Sequence, residues 1–91
     1  MELTEKQIKR IKTALGKAEN LQNKAEGAAG SLANIISKYI NLDCKVEYLH
    51  GDGHGVTPVD YDTYVPISKL IDDALRGNDI SKDYLLNNRS L

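Results

Sequence analysis

An apolar seven-residue repeat running from Ile8 to Tyr39 constrains this chain more than any other feature. With Ile8 at position a, the a series reads Ile8, Leu15, Gln22, Ala29, Ile36, and the d series reads Ile11, Ala18, Ala25, Leu32, Tyr39. Ala14, Leu21, Ala28 and Ile35 make a third position apolar. The stripe is therefore wider than the seam of a two-stranded coil and suits a helical bundle. Thr4 is placed to cap the start, with Gln7 three residues on to complete a capping box.

Read as one helix over 4–41, the stretch spans about 57 Å at 1.5 Å per residue. A domain of 91 residues is only about 30 Å across. Such a rod outreaches its own chain, so its stripe predicts a homo-oligomer joined through Ile8, Ile11, Leu15, Leu21, Gln22, Ala25, Leu32 and Ile36. Gln22, polar at an a position, suits a register-setting role. A competing arrangement breaks the helix at Glu26–Ser31 to give a hairpin. Gly27 and Gly30 each cost about 1 kcal/mol within a helix, and Ser31 is a good N-cap. The heptad phase is the same on both sides, however, and Gly16, Gly27 and Gly30 all fall at outer positions. Continuity, with at most a bend near Gly27–Gly30, is the favoured reading.

Beyond Asn41 the period changes. Cys44, Val46, Tyr48 and His50 alternate with Lys45, Glu47 and Leu49, a strand-like pattern that needs a partner in Val56–Val65 or in another subunit. The run from His50 to Gly55 reads as a loop. Pro66 followed by Ile67, Leu70, Ile71, Ala74 and Leu75 predicts a helix stopped by Gly77, and Asp79 is placed to cap a third helix carrying Ile80, Tyr84 and Leu85. The fold expected is mainly α and a single domain over 1–91. It comprises a long N-terminal helix, an extended or loop region over 43–65 and two short helices within 66–88, assembled as a helical-bundle oligomer.

Cys44 is the only cysteine, so no internal disulfide is available and a reducing, cytoplasmic setting is expected. No long apolar run is present, which argues against a signal peptide or membrane span. Residues 1–42 carry seven Lys/Arg and four Glu, a net of +3; residues 43–91 carry five Lys/Arg and nine Asp/Glu, a net of −4. A pI near 6.1 argues against a dedicated nucleic-acid binder. Locally, Arg10, Lys17, Lys24 and Lys38 recur at the c position and would line one helical edge, either solvated or facing an anion.

Candidate chemistry is sparse. Cys44 with His50 lacks a third group and an oxyanion site. Asp72 and Asp73 beside Lys69 and Arg76 read as helical ion pairs. No enzyme activity is expected, and no motif requires a cofactor. His50, Asp52 and His54 offer metal-ligating atoms, but without a recognised spacing or a fourth ligand beyond Asp60 or Asp62. Gly51, Gly53 and Gly55 permit an anion-binding backbone concavity, to which Tyr48, Tyr61, Tyr64, Arg10, Lys17 and Lys24 could add stacking faces and cations. The function expected is that of a non-enzymatic oligomeric binding protein, a regulator or inhibitor that presents the His50–Tyr64 region to a macromolecular partner. The alternatives are sequestration of a small anion such as a nucleotide at subunit junctions, without turnover, and metal binding through the His-Gly-Asp-Gly-His run.

Overall fold

The computed structural model describes residues 2–19, 26–49, 51 and 53–89. Within them the heptad stripe is carried by two helices, α1 (Glu5–Glu19) and α2 (Glu26–Ile40), each 15 residues long. At about 1.5 Å per residue each is roughly 22 Å long, which fits a molecule measuring 33 × 29 × 22 Å. The capping box is present. The Thr4 N–H donates to Gln7 Oε1 at 2.9 Å, and the Gln7 N–H donates to Thr4 Oγ1 at 3.1 Å. The helix α2 packs back alongside α1, so that Arg10, Ala14 and Lys17 share a groove with Ala28, Ser31 and Ile35, and Thr4 shares one with Tyr39. It ends where Asn41 takes a left-handed conformation (φ 54°) and the Leu42 N–H returns to the Ser37 carbonyl at 3.1 Å. Those two features complete a C-terminal cap.

This corrects the expected architecture. The fold is a small α+β structure, not a mainly α bundle, and no helix spans 4–41. The first helix ends at Glu19 and the second begins at Glu26, while Gly27 and Gly30, the expected weak point, lie within α2. A heptad phase shared by two helices does not require them to be collinear. Two antiparallel helices satisfy it equally well when both stripes face one core. Ile8, Ile11, Leu32 and Ile36 are buried inside the chain, between 0% and 4% exposed, and Leu15 is half-buried. The surface assigned to other subunits is thus covered by the chain's own sheet and C-terminal helices. Leu21, Gln22 and Ala25 lie outside the described residues.

The cover comes from a second correction. The 43–65 region is a three-stranded antiparallel sheet: β1 (Cys44–Leu49), β2 (Gly53–Pro58) and β3 (Val65–Pro66), in that order. Pairing runs from Cys44 opposite Pro58 to Leu49 opposite Gly53, with Val65 opposite Val56. Strand alternation puts Cys44, Val46, Tyr48, His54, Val56 and Val65 on one face, and Lys45, Glu47, Leu49, Gly55 and Thr57 on the other. The strand β2 contains the Gly53-His54-Gly55 run that reads as a loop from composition. Gly55 sits in close quarters: a Cβ there would lie 2.5 Å from Leu49 Cδ1 and 2.8 Å from Tyr64 Cβ. Glycine is the residue the packing requires at that point.

Two C-terminal helices complete the core. The first, α3 (Ile67–Leu75), buries Ile67, Leu70, Ile71 and Ala74 and gives way to Gly77 at φ +85°. The second, α4 (Lys82–Asn87), buries Leu85. Its cap is Ser81, which accepts from the Tyr84 N–H, and not Asp79. A bond from the Cys44 N–H to Ser37 Oγ at 2.9 Å ties β1 to α2. No helix among the described residues is long and apolar enough to cross a membrane.

Candidate anion-binding groove

On a helical wheel of 3.6 residues per turn, Lys6, Lys9, Arg10, Thr13 and Lys17 fall within an arc of about 100°. The apolar arc of α1, carrying Ile8, Ile11 and Leu15, faces the core. Fold and site thus come from the same periodicity. The returning α2 lays Ala28, Ser31, Ile35 and Tyr39 beside this polar arc, and the seam between the helices opens outward as a groove.

Two adjoining segments make up the groove. One, of about 460 Å³, is lined by Arg10, Thr13, Ala14, Lys17, Ala28, Ser31 and Ile35. The other, of about 430 Å³, is lined by Thr4, Lys6, Gln7, Lys9, Arg10, Thr13 and Tyr39. Arg10 and Thr13 belong to both, so the segments adjoin there. Each volume lies within the range of about 300–1,000 Å³ usual for small-molecule sites. The lining holds Lys6, Lys9, Arg10 and Lys17 and no carboxylate. The ion pairs found among the described residues are Lys45–Asp62 and Lys69–Asp73, and none of the four groove cations takes part in either. A floor of Ala14, Ala28 and Ile35 with hydroxyls from Thr13 and Ser31 can accept the apolar and the hydrogen-bonding parts of an anionic ligand.

The residues expected to form a site are divided by the fold. Arg10 and Lys17 come together in the groove. Lys38 does not line it, because α2 turns back and no single heptad edge connects it with Arg10 and Lys17; Lys24 lies outside the described residues. Tyr48 is 61% exposed on the helix-facing side of β1, while Tyr64 is buried against Gly55 on the other side. Tyr61 lies with its ring centroid 5.9 Å from Lys82 Nζ. Burial pushes the Tyr64 hydroxyl above the usual tyrosine range, with Glu47 adding to the effect. Gly51 and Gly53 both take positive φ, but Gly53 and Gly55 belong to β2 and do not form a free loop. Tyr48 and Tyr64 therefore do not share a face.

His54 is buried, edge-on to Tyr48 at 5.3 Å between centroids, and its Nδ1 has no hydrogen-bond partner among the described residues. His50 and Asp52, its expected co-ligands, lie outside the described residues. Among the described residues no group of three His, Cys, Asp or Glu side chains is placed to hold a metal.

Thr13, Ser31 and Tyr39 belong to the groove and escape a sequence reading, as do Lys6 and Lys9. The spacing of Lys6, Arg10, Thr13 and Lys17 at three and four residues was the available signal on α1. Nothing comparable marks Ser31 or Tyr39, whose position depends on the return of α2. Asp73 has a further partner in the same way: Lys69 Nζ donates to it at 2.9 Å as helical spacing predicts, and Tyr84 donates at 2.6 Å from α4. Lys69 first, then Tyr84, hold the Asp73 carboxyl below its ordinary range. Cys44 lies on the buried face of β1, and desolvation pushes its thiol up to about 11. That makes it a poor nucleophile at neutral pH. No family model matches the chain, and neither does any curated protein or solved structure.

Proposed function

We propose that this is a non-enzymatic binding protein that holds an anionic partner in the groove between α1 and α2. The observation that carries the reading is the lining itself: four cations, none in an ion pair with a described residue, and no carboxylate along two adjoining groove segments. Cations left facing solvent beside a walled, partly apolar groove give an anion both a charge partner and shelter from water. The protein acts by occupancy, holding its partner without transforming it. A reducing compartment such as the cytoplasm is the setting that fits a lone, buried thiol.

A thermal-shift titration with tripolyphosphate and with ATP tests this. A ligand that binds only the folded chain raises its stability by RT ln(1 + [L]/Kd), so the midpoint should climb with ligand concentration. The double variant Arg10→Gln, Lys17→Gln should keep its own midpoint without ligand and lose most of the climb. An equal climb in both proteins, or none in the wild type with any anion, rejects the groove.

A further inference from the structure

We infer that the anion occupying the α1–α2 groove is a single strand of nucleic acid. The inference rests on the anion-binding reading above and goes further in naming the polymer. Its first support is lengthwise. Lys6, Arg10, Thr13 and Lys17 succeed one another along α1 at intervals of about 6, 4.5 and 6 Å, covering roughly 16 Å at 1.5 Å per residue. A mononucleotide presents its phosphates at one end and would satisfy one or two of these groups. A strand presents a phosphate at every step and can meet the whole row.

The second support is Tyr39. It lies in the same segment as Lys6, Lys9 and Arg10, half-buried, so its ring is held against the core with part of its surface toward the groove. An aromatic face beside a track of cations is the combination that binds single strands whatever their sequence, because every base has a face to stack. Free polyphosphate has no use for it. The chain's net charge of −1 does not oppose strand binding. Charges more than a Debye length of about 8 Å away are largely screened at physiological salt, and every charged residue lining the groove is a cation.

The test uses the intact protein and a fluorescein-labelled ten-residue oligothymidylate, read by fluorescence anisotropy. With four cations engaged, log K should fall with log salt at a slope of about −2 to −3. Tyr39→Leu, which keeps apolar packing and removes the ring, should weaken the oligonucleotide about tenfold, the scale of one lost base stack. Tyr39→Phe should restore it. Neither change should alter tripolyphosphate binding, whereas Arg10→Gln with Lys17→Gln should weaken both ligands. Circular dichroism and the unliganded melting midpoint establish that each variant is folded. Should Tyr39→Leu be misfolded, the Tyr39→Phe protein and the salt slope decide alone. Tripolyphosphate bound without oligothymidylate overturns the strand and leaves the anion groove standing. A matched duplex bound as tightly as the strand also overturns it, as does a Tyr39→Leu protein that is folded and unimpaired. Binding of neither ligand removes both proposals.

Discussion

The helical hairpin and the sheet with its two covering helices use charge in opposite ways. In the C-terminal half, two ion pairs join charged side chains to one another. Lys45 meets Asp62 at 3.0 Å, and Asp73 receives both Lys69 from its own helix and Tyr84 from the next. In the hairpin the cations of the α1 outer face have no such role, although the inner face supplies Ile8, Ile11, Leu32 and Ile36 to the core. Charge spent on tertiary contacts is unavailable to a partner. Charge left at a helix seam contributes almost nothing to folding and stays available to a partner. The contrast runs with the sign of the charge, +3 over residues 1–42 and −4 over residues 43–91.

Four variants break or sharpen that contrast. The largest effect should come from the hairpin's inner face. Leu32→Ala empties a fully buried site and should cost about 2–5 kcal/mol in urea unfolding. A loss under about 1 kcal/mol, well below the range for emptying a buried leucine site, would mean that the hairpin is not part of one cooperative core. Next, Gly55→Ala drives a methyl into Leu49 and Tyr64 and should cost about 1–3 kcal/mol by the same measurement. A neutral result would show that the β1–β2 packing gives way.

Smaller still, and dependent on pH, is Tyr84→Phe. Because Asp73 has its pKa lowered in the folded state, its contribution is present above the ordinary aspartate value of about 3.9 and is lost as pH falls through the lower folded value. Removing the Tyr84 hydroxyl should therefore reduce stability at neutral pH and narrow the gap from wild type in strong acid. Burial and then Asp73 raise the Tyr84 pKa, so the wild type should also lose more stability than the variant as pH climbs past about 10, the ordinary tyrosine value. A pH-independent difference would show that the hydroxyl acts only by packing. The smallest effect belongs to Arg10→Gln with Lys17→Gln, which should leave unliganded stability within about 0.5 kcal/mol of wild type. A larger loss would mean that these cations support the fold after all, and the two halves would no longer differ.

What the sequence makes legible follows what is local. The Thr4–Gln7 box, the Pro66-to-Gly77 bounds of α3 and the alternation of β1 rest on contacts between near neighbours, and each is present in the fold. The reversal between α1 and α2 is not legible, since the apolar phase passes through it unchanged and two folded stripes look like one straight one. The strand β2 is hidden for another reason. Its glycines read as a turn, and only the packing of Leu49 and Tyr64 against Gly55 shows why a strand needs them. The site divides in the same manner. Arg10 and Lys17 share one helix and are visible as a basic edge, whereas Ser31 and Tyr39 join them only through the tertiary return of α2.

One consequence remains in the junction where Ser37 holds the start of β1. Cys44 is shut in, and its proton is held to about pH 11, so a thiol reagent can reach it only when the seam between α2 and the sheet parts. With excess reagent, the chain carries its own clock for local opening. The labelling rate reports how often that seam breathes, and anything gripping the hairpin from outside should slow the clock without touching the sulfur.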